Sequence, residues 1–414
     1  MGVIFAIAWR NIWRHTRRTV LTMSTIALGL TLILVLKGLS DGTLLQMIDG
    51  TVRMGSGHVV VQKPDYLDLG GVERHLDAAE AEAAEAWLRQ QADEFGIRHI
   101  VRRSFVSGLA SSADGSVGAQ IVGIDPLRER DASRYSEAVI DGRFLEADDE
   151  GLALLGAGTA SRLAVGLNSR VVLMAQGAHG ELESVLVRVA GIIRMGIDEL
   201  DDTLVLVPLS TAQDFLGLNG GVHQVAAILD DSGPTEPLVE RGRQALDGLE
   251  VIGWPEAHRE LVDMIALVGA RDVMLSLVVF VLVAFLVLNT LLMAVLERTR
   301  EFALLEALGF PASHRFFMVL WEALLIALMA SAVGLALGFG AHLYFATAGL
   351  SLEALTGEGL DVAGAVIEPV VYSRLSPRRA AQILALVFGM TALLALMPAR
   401  RAARPSQVAQ LGRN

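Results

Sequence analysis

Apolar residues run almost unbroken through four stretches, near residues 19–39, 273–296, 316–346 and 380–399, and a more polar insert of roughly 230 residues separates the first from the second. Each stretch holds at most one charge. At 1.5 Å of rise per residue, about 18 such residues cross a hydrocarbon layer about 30 Å thick, so four membrane-spanning helices are predicted. Inside the insert the period shortens. Alternating or β-branched runs predict strands at His58–Gln62, Gln120–Ile124, Arg170–Met174, Val185–Val189, Leu204–Val207, Val225–Leu229 and Glu250–Ile252. Helices are predicted at about 78–95 with Asp77 as cap, at 210–217 with Ser210 as cap, and at about 236–247. The fold class is therefore a membrane protein: four transmembrane α-helices, with a large α+β domain of one or two lobes inserted between helices 1 and 2.

The flanks of the spans add detail. Residues 3–15 place Phe5, Trp9 and Trp13 on one helical face and Arg10, Arg14 and Arg17 on another. This predicts an elbow helix lying in the membrane interface, anchored by Trp9, Trp13, Arg14, Arg17 and Arg18; the alternative is a plain extension of the first span. After that span, Leu44, Leu45, Ile48 and Val52 recur at helical spacing up to a turn at Gly55-Ser-Gly57, and a second stalk starts at Trp254-Pro255 and runs into the second span. Both chain ends are rich in Arg and free of acids, which places both termini in the cytoplasm and the insert outside. The apolar run near the N-terminus exceeds a usual signal-peptide core, so an uncleaved anchor is expected.

Composition agrees and excludes. Hydrophobic residues make up 53% of the 414, charged residues 19%, and mean hydropathy is +0.49. The net charge of −12 comes from the insert, so nucleic-acid binding is not implied. There is no cysteine, hence no disulfide framework. No Walker A pattern occurs, so this chain binds no cofactor of its own and an ATP-driven role requires ATP and Mg on a partner. Gly156-Ala-Gly158-Thr-Ala-Ser161 imitates a dinucleotide loop but lacks the third glycine, and the nine histidines form no metal or catalytic motif. No enzyme is indicated. Asp198, Glu199, Asp201 and Asp202 could hold a hard cation or form a solvated loop, with the loop favoured. Ala330, Gly334 and Gly338 form a small-residue ridge for close helix packing, within one subunit or between two. Glu322, inside the third span, is expected to reach the membrane boundary or bond a neighbouring helix.

The most specific segment joins the second and third spans: ERTREFALLEALGFPASHR, residues 297–315. It predicts a short helix closed by Gly309 and a new helix after Pro311, with more charges and apolar side chains than a passive link needs. This segment resembles the coupling segment of the MacB/FtsX-type family of ATP-binding-cassette (ABC) permeases, where E-R-x-x-E precedes an apolar helix ending in glycine. AWRNIWRHTRRTVLT is similar to that family's elbow and first span. Gly142-Arg-Phe-Leu145, LLGAGTASRLAVGLNSRVVL and Val207-Pro-Leu-Ser-Thr-Ala-Gln213 resemble parts of its periplasmic domain, and Pro398-Ala-Arg-Arg-Ala-Ala-Arg-Pro405 its closing element. Architecture and size resemble the lipoprotein-releasing LolC/LolE branch most.

The resemblance implies a mechanotransmission-type half-transporter of the bacterial inner membrane. A cytoplasmic ABC ATPase dimer would engage Glu297, Arg298, Arg300, Glu301, Phe302, Leu304, Leu305, Leu308 and Gly309. A second permease chain, identical or homologous, membrane lipid, a lipoprotein substrate and a periplasmic chaperone would complete the system. The expected order is elbow 1–18, first span 19–40, stalks and periplasmic domain 41–271, second span 272–296, coupling loop 297–315, third span 316–346, outer loop 347–378, fourth span 379–399 and tail 400–414. Two other functions stay open: an efflux permease for amphiphiles or peptides with a periplasmic adaptor, and a regulator of a cell-wall hydrolase that moves no cargo.

Overall fold

The structure, a computed structural model, describes residues 2–14, 16–230, 235–351, 361–362, 365–366 and 370–404. The expected tail beyond Arg404, with Pro405 and Arg413, and much of the 347–378 loop lie outside the described residues.

In chain order the helices are α1 (Gly2–Arg14), α2 (Thr16–Thr51), α3 (Tyr66–Leu69), α4 (Ala78–Gln90), α5 (Ala92–Phe95), α6 (Pro126–Ala132), α7 (Ala157–Arg162), α8 (Asp198–Asp201), α9 (Leu209–Leu216), α10 (Glu236–Ala245), α11 (Trp254–Ala257), α12 (Arg259–Glu297), α13 (Thr299–Ala307), α14 (Ala312–Thr347) and α15 (Pro377–Ala403). The principal strands are β1 (Val59–Gln62), β2 (Ile97–Ser111), β3 (Ser116–Ile124), β4 (Val139–Gly142), β5 (Leu152–Gly156), β6 (Arg170–Gln176), β7 (Leu182–Ile193), β8 (Leu204–Pro208), β9 (Gln224–Leu229) and β10 (Glu250–Gly253). They form two compact units: Met1–Leu44 with Ile265–Gly359 and Pro369–Asn414, and Leu45–Met264 with Leu360–Glu368.

The first unit is a helical bundle. Helices α2, α12, α14 and α15 are each long and apolar enough to cross a membrane, with 36, 39, 36 and 27 residues. Their shared core includes Ile26, Leu30, Leu34, Val287, Ile326 and Ala330. The small-residue ridge is used here, inside one chain. A Cβ on Gly334 would come within 2.8 Å of the Ala27 carbonyl oxygen, and one on Gly338 within 2.6 Å of Leu34 Cδ1. Thr31 Oγ1 also donates to the Gly334 carbonyl at 3.1 Å, so backbone contact replaces side-chain bulk between α2 and α14. A polar layer closes one end of this bundle: Lys37 Nζ lies 3.6 Å from the Asp272 carboxylate, and Arg379 pairs with Asp41.

The second unit is built on one continuous ten-stranded sheet, in the order β10-β1-β9-β2-β3-β8-β5-β7-β4, with β6 joining β2 to β7. That last pairing closes β2-β3-β8-β5-β7-β6 into a ring, which removes the exposed edges those strands would otherwise carry. Val106, Ile121, Leu155, Leu173, Val189 and Val205 fill the ring, with Phe215 and Leu216 of α9 packed against them. Closure needs a residue without a side chain where β6 meets β2. Gly108 sits there, its missing Cβ aimed at the Met174 carbonyl. Beyond the ring, β9, β1 and β10 form a wing covered by α4 and α10, whose core includes Val61, Leu88, Val225 and Leu238.

Several expectations change in detail. Asp77 caps α4 in a reciprocal box, accepting from Glu80 N at 2.7 Å while its own N–H donates to Glu80 Oε2 at 2.9 Å. Ser210 is not a cap: α9 starts one residue earlier, directly from the strand-ending Pro208. The long β2 and the short β4 and β5 were not among the expected strands. The acidic cluster is a short helix rather than a loop: Asp198 and Glu199 are solvated as expected, but Asp201 is buried and its two oxygens accept the N–H groups of Met195 at 2.7 Å and Gly196 at 3.1 Å. No group of metal-binding side chains occurs among the described residues.

Candidate coupling site

Both terminal helices and the α12–α14 connection meet at one end of the helical bundle. Ile4 of α1, Val295 of α12, Phe302 of α13, Met318 and Val319 of α14, and Ala399 and Ala402 of α15 form one apolar cluster. Helix α1 turns Ile4, Ala8 and Ile12 inward, spaced by four and all buried, Ile4 in this cluster and Ile12 in the bundle core. Its aromatic face turns outward: Trp9 and Trp13 are exposed with rings 6.0 Å apart, and Phe5 meets Trp321 edge-on at 5.6 Å. Arg14 and Arg17 are exposed as well. An amphipathic helix with aromatic rings and cations outside is suited to the membrane boundary.

Sequence dictates the shape of the connection. Helix α12 stops at Glu297 because Arg298 leaves helical geometry, and α13 runs only to Ala307. Gly309 then takes φ +87°, a left-handed conformation that costs a residue with a Cβ, and Pro311 caps α14. The result is a helical hairpin with a protruding tip.

Its inner face is fixed by charge. Glu322 is buried, and its Oε1 accepts from Arg18 Nη2 at 2.8 Å while its Oε2 accepts from Arg298 Nη1 at 2.6 Å. Arg298 Nε donates in turn to Glu301 Oε2 at 2.8 Å, and the guanidinium lies 5.4 Å from the Phe302 ring centroid. Nearby, Arg315 Nη1 donates to Glu306 Oε2 at 3.0 Å. Each cation finds a carboxylate, so the two networks are charge-neutral. Neutrality matters where water is scarce, because an unpaired buried charge is far more costly than a bonded pair. One carboxylate thus ties the start of α2 and the start of α13 to α14.

The outer face is different. Leu304 is 63% exposed, Leu308 68% and Phe310 39%, and Glu297 and Arg300 are exposed beside them. Leu305 is half-buried against the apolar cluster. Of the residues expected to meet a partner, Arg298 and Phe302 therefore face inward and hold the helix, while Leu304 and Leu308 face outward. Sequence reasoning missed Phe310 as part of the tip and Arg18 as a partner of Glu322. The Gly309-Phe-Pro311 turn, which sets an apolar ring at the end of the hairpin, could have signalled the first; nothing local could signal a pair separated by 304 positions.

Similarity to known proteins agrees with this architecture. Residues 19–245 match the MacB-like periplasmic core domain and residues 273–407 the FtsX-like permease C-terminal domain. The chain is 24% identical over 315 residues to the lipoprotein-releasing system transmembrane protein LolC of Neisseria meningitidis serogroup B, covering 73% of this chain and 72% of that one. It is 25% identical over 317 residues to LolE of Haemophilus influenzae, covering 73% and 76%. It is also 24% identical over 408 residues to the macrolide export ATP-binding/permease protein MacB of Rhodospirillum rubrum, covering 92% of this chain but 59% of that protein. The solved periplasmic region of MacB from Actinobacillus actinomycetemcomitans aligns with 53% of the chain at 15% identity and a TM-score of 0.36. The chain belongs to the ABC transporter permeases that join a MacB-like periplasmic core domain to an FtsX-like permease domain.

Proposed function

We propose that this chain is the permease subunit of a mechanotransmission ABC transporter of the bacterial inner membrane. ATP is hydrolysed on a separate cytoplasmic ATPase dimer, and the tip of α13 is where that dimer docks. The observation that carries this reading is the two-sided character of α13: an inner face bonded into the bundle through Glu322, and an outer face that presents Leu304, Leu308 and Phe310 to solvent. A free linker would expose neither so much apolar surface nor so rigid a base. For work to pass through it, the tip must contact the ATPase differently in its open and closed states. Both termini lie on the ATPase side, and the ectodomain lies in the periplasm.

The cargo we propose is lipoprotein, extracted from the outer leaflet of the inner membrane by two permease chains and passed to a periplasmic chaperone. Similarity to LolC and LolE over about three-quarters of this chain supports it. Similarity to an exporter named for macrolides supports efflux as the second reading. Two measurements test the proposal, the first its docking site and the second its cargo. Leu304→Asp and Leu308→Asp should each abolish co-purification of an ABC ATPase from native membranes while leaving the amount of inserted permease unchanged; undiminished co-purification overturns the docking site. In vesicles holding the purified complex, ATP-dependent release of a lipoprotein supports extraction, macrolide movement without lipoprotein release supports efflux, and activation of a cell-wall hydrolase with neither overturns the transport reading.

A further inference from the structure

Where the two stalk helices end in the second unit, the packing leaves a cavity of about 410 Å3. One rim is Thr51, Gly55 and Ser56, at the end of α2 and the turn that follows it; the opposite rim is Ala257 and His258, at the joint of α11 and α12. Between the rims the wall is mainly apolar, with Val60, Phe105, Val122, Leu204 and Ile252 from the sheet and the amides of Gln120 and Gln224 among them. Gly55 is required at its place: φ is +139°, and a Cβ would come within 2.5 Å of the Tyr135 hydroxyl oxygen, which also lines the space.

This hollow has the size and chemistry of a ligand site. The hollow opens to solvent, so its apolar wall is covered by water until a ligand displaces it. Pockets of roughly 300–1,000 Å3 with apolar walls and a few polar atoms are the usual form of small-molecule sites. No charged side chain lines it. A charged ligand would lose its hydration without gaining a counter-ion, which leaves uncharged molecules. One polar atom stands ready: His258 Nε2 is buried and makes no hydrogen bond. Burial also holds the His258 imidazole below its ordinary pKa, so the ring is neutral near pH 7.

We propose that this cavity binds an uncharged amphiphile, whose apolar body fills the space walled by Phe105, Val122, Leu204 and Ile252 and whose single polar group bonds His258 Nε2. Because the ligand touches the end of α2 on one side and the α11–α12 joint, one residue before α12, on the other, occupancy bears on the two helices that continue into spans. This goes beyond the transport reading. Binding needs neither nucleotide nor ATPase, so its failure and a failure of ATPase docking are separate results.

The test is photolabelling of the full chain in lipid nanodiscs with dodecanol carrying a mid-chain diazirine, the adducts being mapped by peptide mass spectrometry. Adducts are expected on peptides containing Tyr135, Leu204 and His258. Ser56→Phe and Ala257→Phe fill the space from opposite rims, and each should lower those adducts about tenfold. Should one of them fail to fold, the other still carries the test. Undiminished labelling in a folded filling variant, or adducts on the spans alone, overturns the site. His258→Phe should weaken labelling by the dodecanol probe and leave labelling by diazirine-bearing dodecane unchanged; equal behaviour of the two probes overturns the role of His258.

Discussion

Glu322 could be recognised from the sequence as a costly acid inside a span, but its two partners could not, because Arg18 lies 304 positions away and Arg298, 24 positions before it, carries no local signal that it folds back onto α14. Replacing one member of a buried ionic group leaves the others uncompensated, at a cost of about 3–5 kcal/mol, whereas exchanging all members for apolar residues of similar size is close to neutral. Glu322→Leu should therefore lower the melting temperature in detergent sharply, and the triple change Arg18→Met, Glu322→Leu, Arg298→Met should recover most of it, since the one member left, Glu301, is half-exposed and keeps its hydration. If the triple variant melts as low as the single one, charge pairing is not what holds α13. His223 makes a similar point in the ectodomain. Its Nδ1 accepts the Phe105 N–H at 3.2 Å, its Nε2 lies 3.3 Å from the Val72 carbonyl, and burial pulls its pKa from 6.5 to about 4. The folded state thus favours the neutral ring, so the contribution is complete above pH 6.5 and is lost as pH falls from there towards 4. At about 1.4 kcal/mol per pKa unit, this is on the order of 3 kcal/mol. Denaturant midpoints measured between pH 7 and pH 4 should fall in the native chain and fall less in His223→Gln. Nine scattered histidines gave no hint of this, since the ring is buried by Tyr66 and Val72, about 150 positions away in sequence.

Elements with a clean period were the legible ones. Strands β6, β8 and β9 carry β-branched or alternating residues over nearly their whole length, and α4 announces itself through Asp77 and Glu80. Strand β2 was hidden for a physical reason. Its fifteen residues serve the wing first and the ring afterwards, so the buried face changes partners along its length, and Arg98, Arg102 and Arg103 break any alternation. Arg103 is nevertheless wholly buried, bonded to Glu129 by two contacts of 2.5 and 3.0 Å. The hairpin between α12 and α14 was legible in outline, through Gly309 and Pro311, but not in its division into inner and outer faces. That division makes a prediction for the element. Phe302→Ala removes an inner anchor and should cost roughly 3 kcal/mol, seen as a lower melting temperature. Gly309→Val would cost about 1–2 kcal/mol if φ stayed at +87°, but the turn stands in open space and can relieve that strain by changing its own conformation. It should leave the bundle melting nearly unchanged while weakening ATPase co-purification, because only the tip is re-aimed. A matched loss of bundle stability would show the turn to be structural alone.

At the scale of the whole molecule, four hydrophobic stretches determine much of the architecture, and the parity of four spans determines its topology. If all four helices cross, the chain returns to its starting side, so α1, the end of α15 and the α13 tip should share one compartment and the insert after the first span should occupy the other. Within the bundle, the common apolar cluster of α1, α13 and α15 meets this condition without reference to a membrane. Side-specific labelling tests it directly, and the chain is prepared for the experiment because it contains no cysteine. Asp114→Cys lies beside the β2–β3 hairpin turn of the ectodomain, and Ser313→Cys sits exposed in the first turn of α14, next to the tip. In intact spheroplasts a membrane-impermeant maleimide should label Asp114→Cys and spare Ser313→Cys, and detergent permeabilisation should make both react. Both substitutions are at exposed positions, where changes are usually worth less than about 0.5 kcal/mol, so failed folding is not expected to confuse the result. Labelling of Ser313→Cys before permeabilisation would place tip and ectodomain in one compartment. An ATPase confined to the cytoplasm could then not drive the ectodomain through α13, whatever the tip contacts.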